Sequence, residues 1–139
     1  MKAAAVVIII LAVLIGVVPQ FTDCQSQGKM LELPNGRQIS MKCHWTARAE
    51  LALAIPAAVV GGLLAFSRRR ESARNLSILG VILGGMAVLV PTSLIGVCTS
   101  PDMACNSVMK PALILMGSLL LVMSLVTLLA SRRMTEAAA

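Results

Sequence analysis

The sequence predicts an all-α integral membrane protein, a bundle of four transmembrane helices with a small disulfide-stapled cap on one side. Three observations predict it. Of 139 residues, 58% are hydrophobic and only 13% charged, against about a quarter charged in soluble domains. Four apolar runs, approximately Ala3 to Phe21, Ala47 to Phe66, Leu76 to Val97 and Pro111 to Ala130, each approach the roughly 20 helical residues that cross a hydrocarbon core of about 30 Å. Finally, Cys24, Cys43, Cys98 and Cys105 all fall in the connections on one side of those runs.

A helix closes its own backbone hydrogen bonds, which an apolar segment must do when lipid offers no partner. Four spans are therefore the economical reading, and the chain 1–139 forms one membrane domain. Its connections are an outer loop at 22–46, a cytoplasmic loop at 67–75, an outer loop at 98–110 and a tail at 131–139.

The first span follows Lys2 much as a signal peptide's apolar core follows its basic start. Pro19 and Gln20 occupy positions where a peptidase needs small residues, and Asp23 spoils the match of Phe-Thr-Asp-Cys to a lipoprotein box. It is expected to be an uncleaved helix. The outer loop after it contains Pro34-Asn35-Gly36 between Met30 to Leu33 and Gln38 to Met41. Asn-Gly tolerates the positive φ of tight hairpins, so a two-stranded ribbon is expected.

At the entry to the second span, Trp45 and Phe21 should anchor at the headgroup level, with Phe66 at the opposite side. Thr46 is expected to cap the helix, and Glu50 to sit in its positive first turn. Gly61 and Gly62 in this span, and Gly80 and Gly84 in the third, supply small faces through which helices approach in lipid. A homo-oligomer is compatible with such faces, although packing within the bundle uses them more directly.

The third span carries Pro91 near its outer part, and the short loop after it bends at Pro101-Asp102. Pro111 opens the fourth span, where its missing N–H costs nothing.

Basic residues near span ends favour the cytoplasm. Arg68, Arg69, Arg70 and Arg74 crowd the middle connection, and Arg132 and Arg133 follow the fourth span. Both termini are thus expected in the cytoplasm and the cysteine loops outside it, in a multi-pass cell (inner or cytoplasmic) membrane protein. The net charge of +6 reflects this topology and attraction to anionic lipids. The basic residues lack aromatic interleaving and any nucleic-acid-binding motif, which argues against a nucleic-acid partner. The span centres lack ionisable residues, which argues against a pump, transporter or channel acting alone.

Met41-x-Cys43 recurs as Met103-x-Cys105, with Arg48 falling on Lys110 and Leu51 on Leu113. Upstream, Pro19 and Cys24 are echoed by Pro91 and Cys98. A tandem duplication of a helical hairpin accounts for this pattern, with halves of about 1–70 and 71–139. Four cysteines allow three pairings. The repeat favours Cys24 with Cys43 and Cys98 with Cys105, and closing a loop of about 15 residues removes roughly 3 kcal/mol of unfolded-state entropy.

Two chemistries compete with this staple. Met41, Cys43, His44, Met103 and Cys105 are donors that suit Cu(I) or zinc, but a single histidine and no Cys-x-x-Cys weaken the case for a copper-binding membrane protein. Four spans with outer cysteine pairs are also similar to bacterial quinone-linked thiol oxidases. Those usually carry a Cys-x-x-Cys whose attacking thiol has a lowered pKa, whereas the separations here are 19 and 7 residues. No catalytic residue, cofactor or metal is therefore expected.

The pattern Met41-x-Cys43-His44-Trp45-Thr46-Ala-x-Ala-Glu50, with Cys98-x4-Met103-x-Cys105-Asn106 and Lys110-Pro111, resembles a prokaryotic family of small four-span proteins. That family is the domain of unknown function 4418, and the resemblance covers nearly the whole chain. It has no established activity. Its members are encoded beside ABC-type exporters whose permeases have large extracytoplasmic domains, like macrolide exporters and lipoprotein-release systems. The resemblance therefore implies a non-catalytic accessory subunit of an envelope complex, with an ABC-type permease and membrane lipids as partners.

Overall fold

A computed structural model of the chain describes residues 2–67, 69–100 and 102–136. Arg68 and Pro101 lie outside the described residues, as do the side chains of Arg70 and Arg132.

Four long helices form the molecule. Helix α1 runs Lys2–Thr22, α2 Lys42–Phe66, α3 Arg70–Leu89 and α4 Lys110–Glu136. Between α1 and α2 the strands β1 (Leu31–Glu32) and β2 (Gln38–Ile39) pair antiparallel, Leu31 opposite Ile39 and Glu32 opposite Gln38. The expected ribbon is present, and Gly36 has φ +72° at its turn. All four helices are long and apolar enough to cross a membrane. The chain is an all-α membrane protein of four spanning helices.

Helix α1 shows why. In α1 the buried residues Ala5, Ile8, Leu11, Ala12, Ile15, Gly16 and Pro19 follow a spacing of three or four and form one stripe. Val6, Ile10, Val13 and Val17 on the other side are exposed. In water such a face would be a liability, but in lipid it is the correct solvent match.

Helix α1 packs mainly on α2 and α3 mainly on α4, while α1 meets α4 and α2 meets α3 to close the ring. Packing is tightest where glycine removes the side chain. A Cβ on Gly84 would lie 2.7 Å from the Leu121 backbone nitrogen and 2.9 Å from its Cα. Gly61 meets Ile9, and Gly80 meets Ser124, as the small-face reading expected. Gly62 is a correction: a Cβ there would meet nothing within 4 Å, because it points away from the seam that Gly61, one position earlier, occupies.

Two helix ends depart from the expected spans. Helix α3 passes into a π-helical turn at Val90–Leu94, and a second π turn, Cys105–Met109, leads into α4. The first contains Pro91, which has no N–H to give an α-helical ladder. It ends where the Ile95 and Gly96 amides both donate to the Val90 carbonyl, at 3.1 Å, with Gly96 at φ +76°. At its start, α2 begins at Lys42, not at Ala47. Met41 is its N-cap residue and makes no side-chain capping bond. Thr46 is therefore inside the helix and does not cap it. Glu50 likewise lies two turns in, beyond the first-turn position expected for it.

Candidate functional site

The four cysteines meet at one end of the bundle. Their sulfurs all lie within 4.8 Å of one another. Cys24 follows the end of α1, Cys43 lies in the first turn of α2, Cys98 follows the π turn after α3, and Cys105 opens the helix leading into α4. Each half thus contributes one cysteine as its chain leaves a helix and one as it enters the next.

The shortest contacts join the halves. Cys43 Sγ lies 2.8 Å from Cys98 Sγ, and Cys24 Sγ lies 3.3 Å from Cys105 Sγ. The entering cysteine of each half therefore meets the leaving cysteine of the other, a swap that repeats in both directions. Pairing within each outer loop, as the sequence suggested, is not the arrangement of closest approach. A further contact, Cys24 Sγ to Cys98 Sγ at 3.8 Å, links the two pairs. All four are thiols in the structure.

Cys24, Cys43 and Cys105 are buried, and Cys98 is half-buried. Burial pushes the Cys24 thiol up to about 12, with the Cys105 and Cys98 sulfurs adding to the rise. Burial also raises Cys98, but hydrogen bonds from the Cys43, Cys24 and Cys105 thiols outweigh it and hold Cys98 below the ordinary thiol value. Cys98 is also the least buried of the four, so it is the cysteine an oxidant or metal would meet first.

Neighbouring groups frame the sulfurs. The Cys98 backbone N–H donates to Cys43 Sγ at 3.4 Å, and Met41 Sδ lies 4.0 Å from Cys98 Sγ. Thr46 Oγ1 donates to the Gly96 carbonyl at 2.6 Å and to the Lys42 carbonyl at 3.3 Å, so it ties α2 to the segment that carries Cys98. Met103 packs partly buried against the core, and its carbonyl accepts the Asn106 amide at 3.0 Å and the Ser107 amide at 3.2 Å. These bonds bend the chain into the turn that presents Cys105.

His44 pairs with Asp23: Nδ1 lies 3.2 Å from the carboxylate. The carboxyl also accepts the Ser26 amide at 2.8 Å. Burial raises Asp23, but these bonds from Ser26 and His44 prevail and hold it below the usual carboxylate range. Trp45 is 62% exposed, with its ring edge-on to His44 at 6.0 Å. From the sequence, Asp23 counted against a lipoprotein box and not as a partner for His44. The signal available was a carboxyl three residues before Ser26, the spacing at which a capping side chain accepts a backbone N–H. Gln20 was missed too; its amide donates to the Ala47 carbonyl at 3.1 Å and braces α1 against α2.

Glu50 shares a helix face with Cys43, Thr46 and Ala47, at i, i+3, i+4 and i+7. It is fully buried, and neither carboxyl oxygen has a hydrogen-bond partner among the described residues.

No curated protein and no solved structure matches the chain. The spans, the clustered cysteines and the Met-x-Cys entries extend over nearly all of it, and so does its family: residues 3–130 match the domain of unknown function DUF4418, to which this chain belongs.

Proposed function

We propose that this protein is a non-catalytic accessory subunit of an envelope complex, set in the cell membrane with both termini in the cytoplasm and the cysteine end outside it. The observation that carries this reading is the ribbon. Among the described residues its two strands have no third strand to cover their edges, and Leu31 and Ile39 are about half exposed, with Met30 beside them at 37%. A two-stranded ribbon is marginal alone. Here its base is held by the Lys29 amide donating to the Cys24 carbonyl at 2.9 Å and by Ser40 bonded to Gln25 at 3.4 Å. A free strand edge bearing apolar side chains suits addition of a partner's strand. The partner in this reading is the extracytoplasmic domain of an ABC-type permease.

Detergent pull-down from native membranes tests it. The intact chain should bring down a permease, and a variant with residues 30–40 replaced by a Gly-Ser linker should not. Recovery of the intact chain strictly alone overturns the reading.

Thiol–disulfide exchange is favoured by one observation, the adjacency of two sulfur pairs with Cys98 as their accessible member. Burial of Cys24, Cys43 and Cys105 limits it, since an incoming thiolate must reach the sulfur it attacks. A Cys43→Ser variant that accumulates mixed disulfides through Cys98 would raise it above the accessory reading.

A further inference from the structure

The geometry points to a structural zinc site: Cys24, Cys43, Cys98 and Cys105 hold one Zn²⁺ as a closed tetrathiolate that clamps the two hairpins together. The sequence alone argued against a metal, with a single histidine, no Cys-x-x-Cys and cysteines assigned to staples of their own loops. Their convergence changes the question.

Three features favour one four-sulfur site over two separate pairs. First, the sulfurs do not divide cleanly. Cys98 contacts both Cys43 and Cys24, Cys24 contacts both Cys98 and Cys105, and all four lie within 4.8 Å of one another. Zinc–sulfur bonds of about 2.3 Å in a tetrahedron place the sulfurs roughly 3.8 Å apart. The contacts of 2.8, 3.3 and 3.8 Å therefore need only a small opening, most of it between Cys43 and Cys98.

Second, the surroundings suit thiolates. Binding replaces four S–H bonds by four Zn–S bonds, releases four protons to water and leaves a site of charge −2. Cys43 stands in the first turn of α2, and Cys105 in the first turn of the helix that continues into α4. Both positive helix ends thus face the cluster. The Cys98 amide already directs its N–H at Cys43 Sγ, the kind of bond by which outer groups orient and stabilise metal-bound ligands.

Third, the site is closed. Three sulfurs are buried, and the half-buried Cys98 gives an entry path. Structural zinc sites use all four positions for protein ligands, whereas catalytic ones keep one open. Tetrahedral S₄ donor sets select zinc or iron among common metals. Zinc is the ion proposed here, because a closed site with four protein sulfurs is the form structural zinc sites take.

This inference does not rest on the accessory reading, and its test needs no partner. The full-length protein, made without a histidine tag, is purified in detergent under argon with no added chelator. Elemental analysis should find one zinc per chain, and a mercurial that titrates thiols should release it as four thiols react. After exchange with cobalt(II), the visible spectrum should show intense d–d bands of tetrahedral sulfur coordination. Cys43→Ser and Cys105→Ser should each lose the zinc. Met41→Leu, which removes only the nearby thioether, should keep it and shows that a folded variant passes the same assay.

An intact mass lower by the hydrogens of two disulfides, with no metal, overturns the proposal. So do iron in place of zinc, zinc retained in both cysteine variants, and a metal-free protein with four free thiols that takes up no added zinc. These outcomes are read on the wild type as well as the variants, so a misfolded variant does not shelter the proposal.

Discussion

The two halves of the molecule turn the same corner with different equipment. In each, a chain leaves a helix after a buried proline, Pro19 or Pro91, places a cysteine, loops, and re-enters through Met-x-Cys. The second half does this in seven residues from Cys98 to Cys105; the first takes nineteen from Cys24 to Cys43 and inserts the ribbon. Aligning Met41 with Met103 sets His44, Trp45, Thr46 and Glu50 over Asn106, Ser107, Val108 and Ala112. What the halves share is the means of being joined. What only the first half has is the ribbon, the His44–Asp23 pair, the Thr46 bond across to the other half and the buried carboxyl.

The shared part should break with the largest effect and symmetrically. Cys43→Ser and Cys105→Ser should each lower unfolding stability in detergent by about 3 kcal/mol or more, and by the same amount, because each removes one sulfur from a common centre. Staples confined to their own loops would behave differently. The longer first loop would then make Cys43→Ser costlier by about 1 kcal/mol. Thermal or denaturant midpoints of the two variants, measured side by side, decide this.

Helix packing offers the next contrast. Gly84→Ala should cost about 2 kcal/mol, since the new Cβ meets Leu121 backbone that cannot move aside. Gly62→Ala should stabilise by up to about 1 kcal/mol, because alanine is the better helix former and the position opens on free space. The first hairpin stands between these extremes. Gly61→Ala meets Ile9 Cγ1 at 2.7 Å but also the Ile9 backbone nitrogen at 3.2 Å, so its cost should fall below that of Gly84→Ala.

These contrasts mark where the sequence was legible. The spans were, because twenty apolar residues in a row have few other uses, and so was the ribbon, because Asn35-Gly36 supplies the backbone its turn needs. Gly61, Gly80 and Gly84 were readable as packing positions, but Gly62 was not separable from Gly61. Neighbours in a helix point about 100° apart, and only the crossing shows which one faces the seam. The start of α2 was misplaced because Lys42, His44 and Arg48 look like loop. Their helix is decided by Cys43 and Thr46, whose partners lie about fifty residues away in the other half. Convergence of the cysteines was hidden for the same reason: spacing along the chain reports loop closure, and the closest sulfurs here belong to different hairpins.

Glu50 sharpens the comparison from the other direction. An unpartnered carboxyl buried in a helix bundle is destabilising, and its counterpart Ala112 carries none of that burden. Glu50→Met should raise the unfolding midpoint by the equivalent of about 2 kcal/mol, while Ala112→Glu, at a partly buried position, should lower it. A first half that loses stability on Glu50→Met would mean that the carboxyl has a partner in the folded protein. Pull-down of the Glu50→Met variant shows whether such a partner belongs to the complex.

The smallest contrast is a single hydroxyl. Thr46 is fully buried, and its 2.6 Å bond to the Gly96 carbonyl crosses from α2 to the segment holding Cys98. Val108, its counterpart, is 50% exposed and has no hydroxyl to give. Thr46→Val keeps the shape and leaves the Gly96 carbonyl without that donor, at a cost of about 1 kcal/mol; Val108→Thr should change stability by less than about 0.5 kcal/mol. Because the lost bond anchors the Cys98 segment, Thr46→Val should also speed reaction of Cys98 with a small alkylating reagent, while Val108→Thr leaves that rate unchanged. Equal rates in the two variants would mean that the sulfur cluster alone holds Cys98 in place, and that the hydroxyl contributes stability without positioning the site.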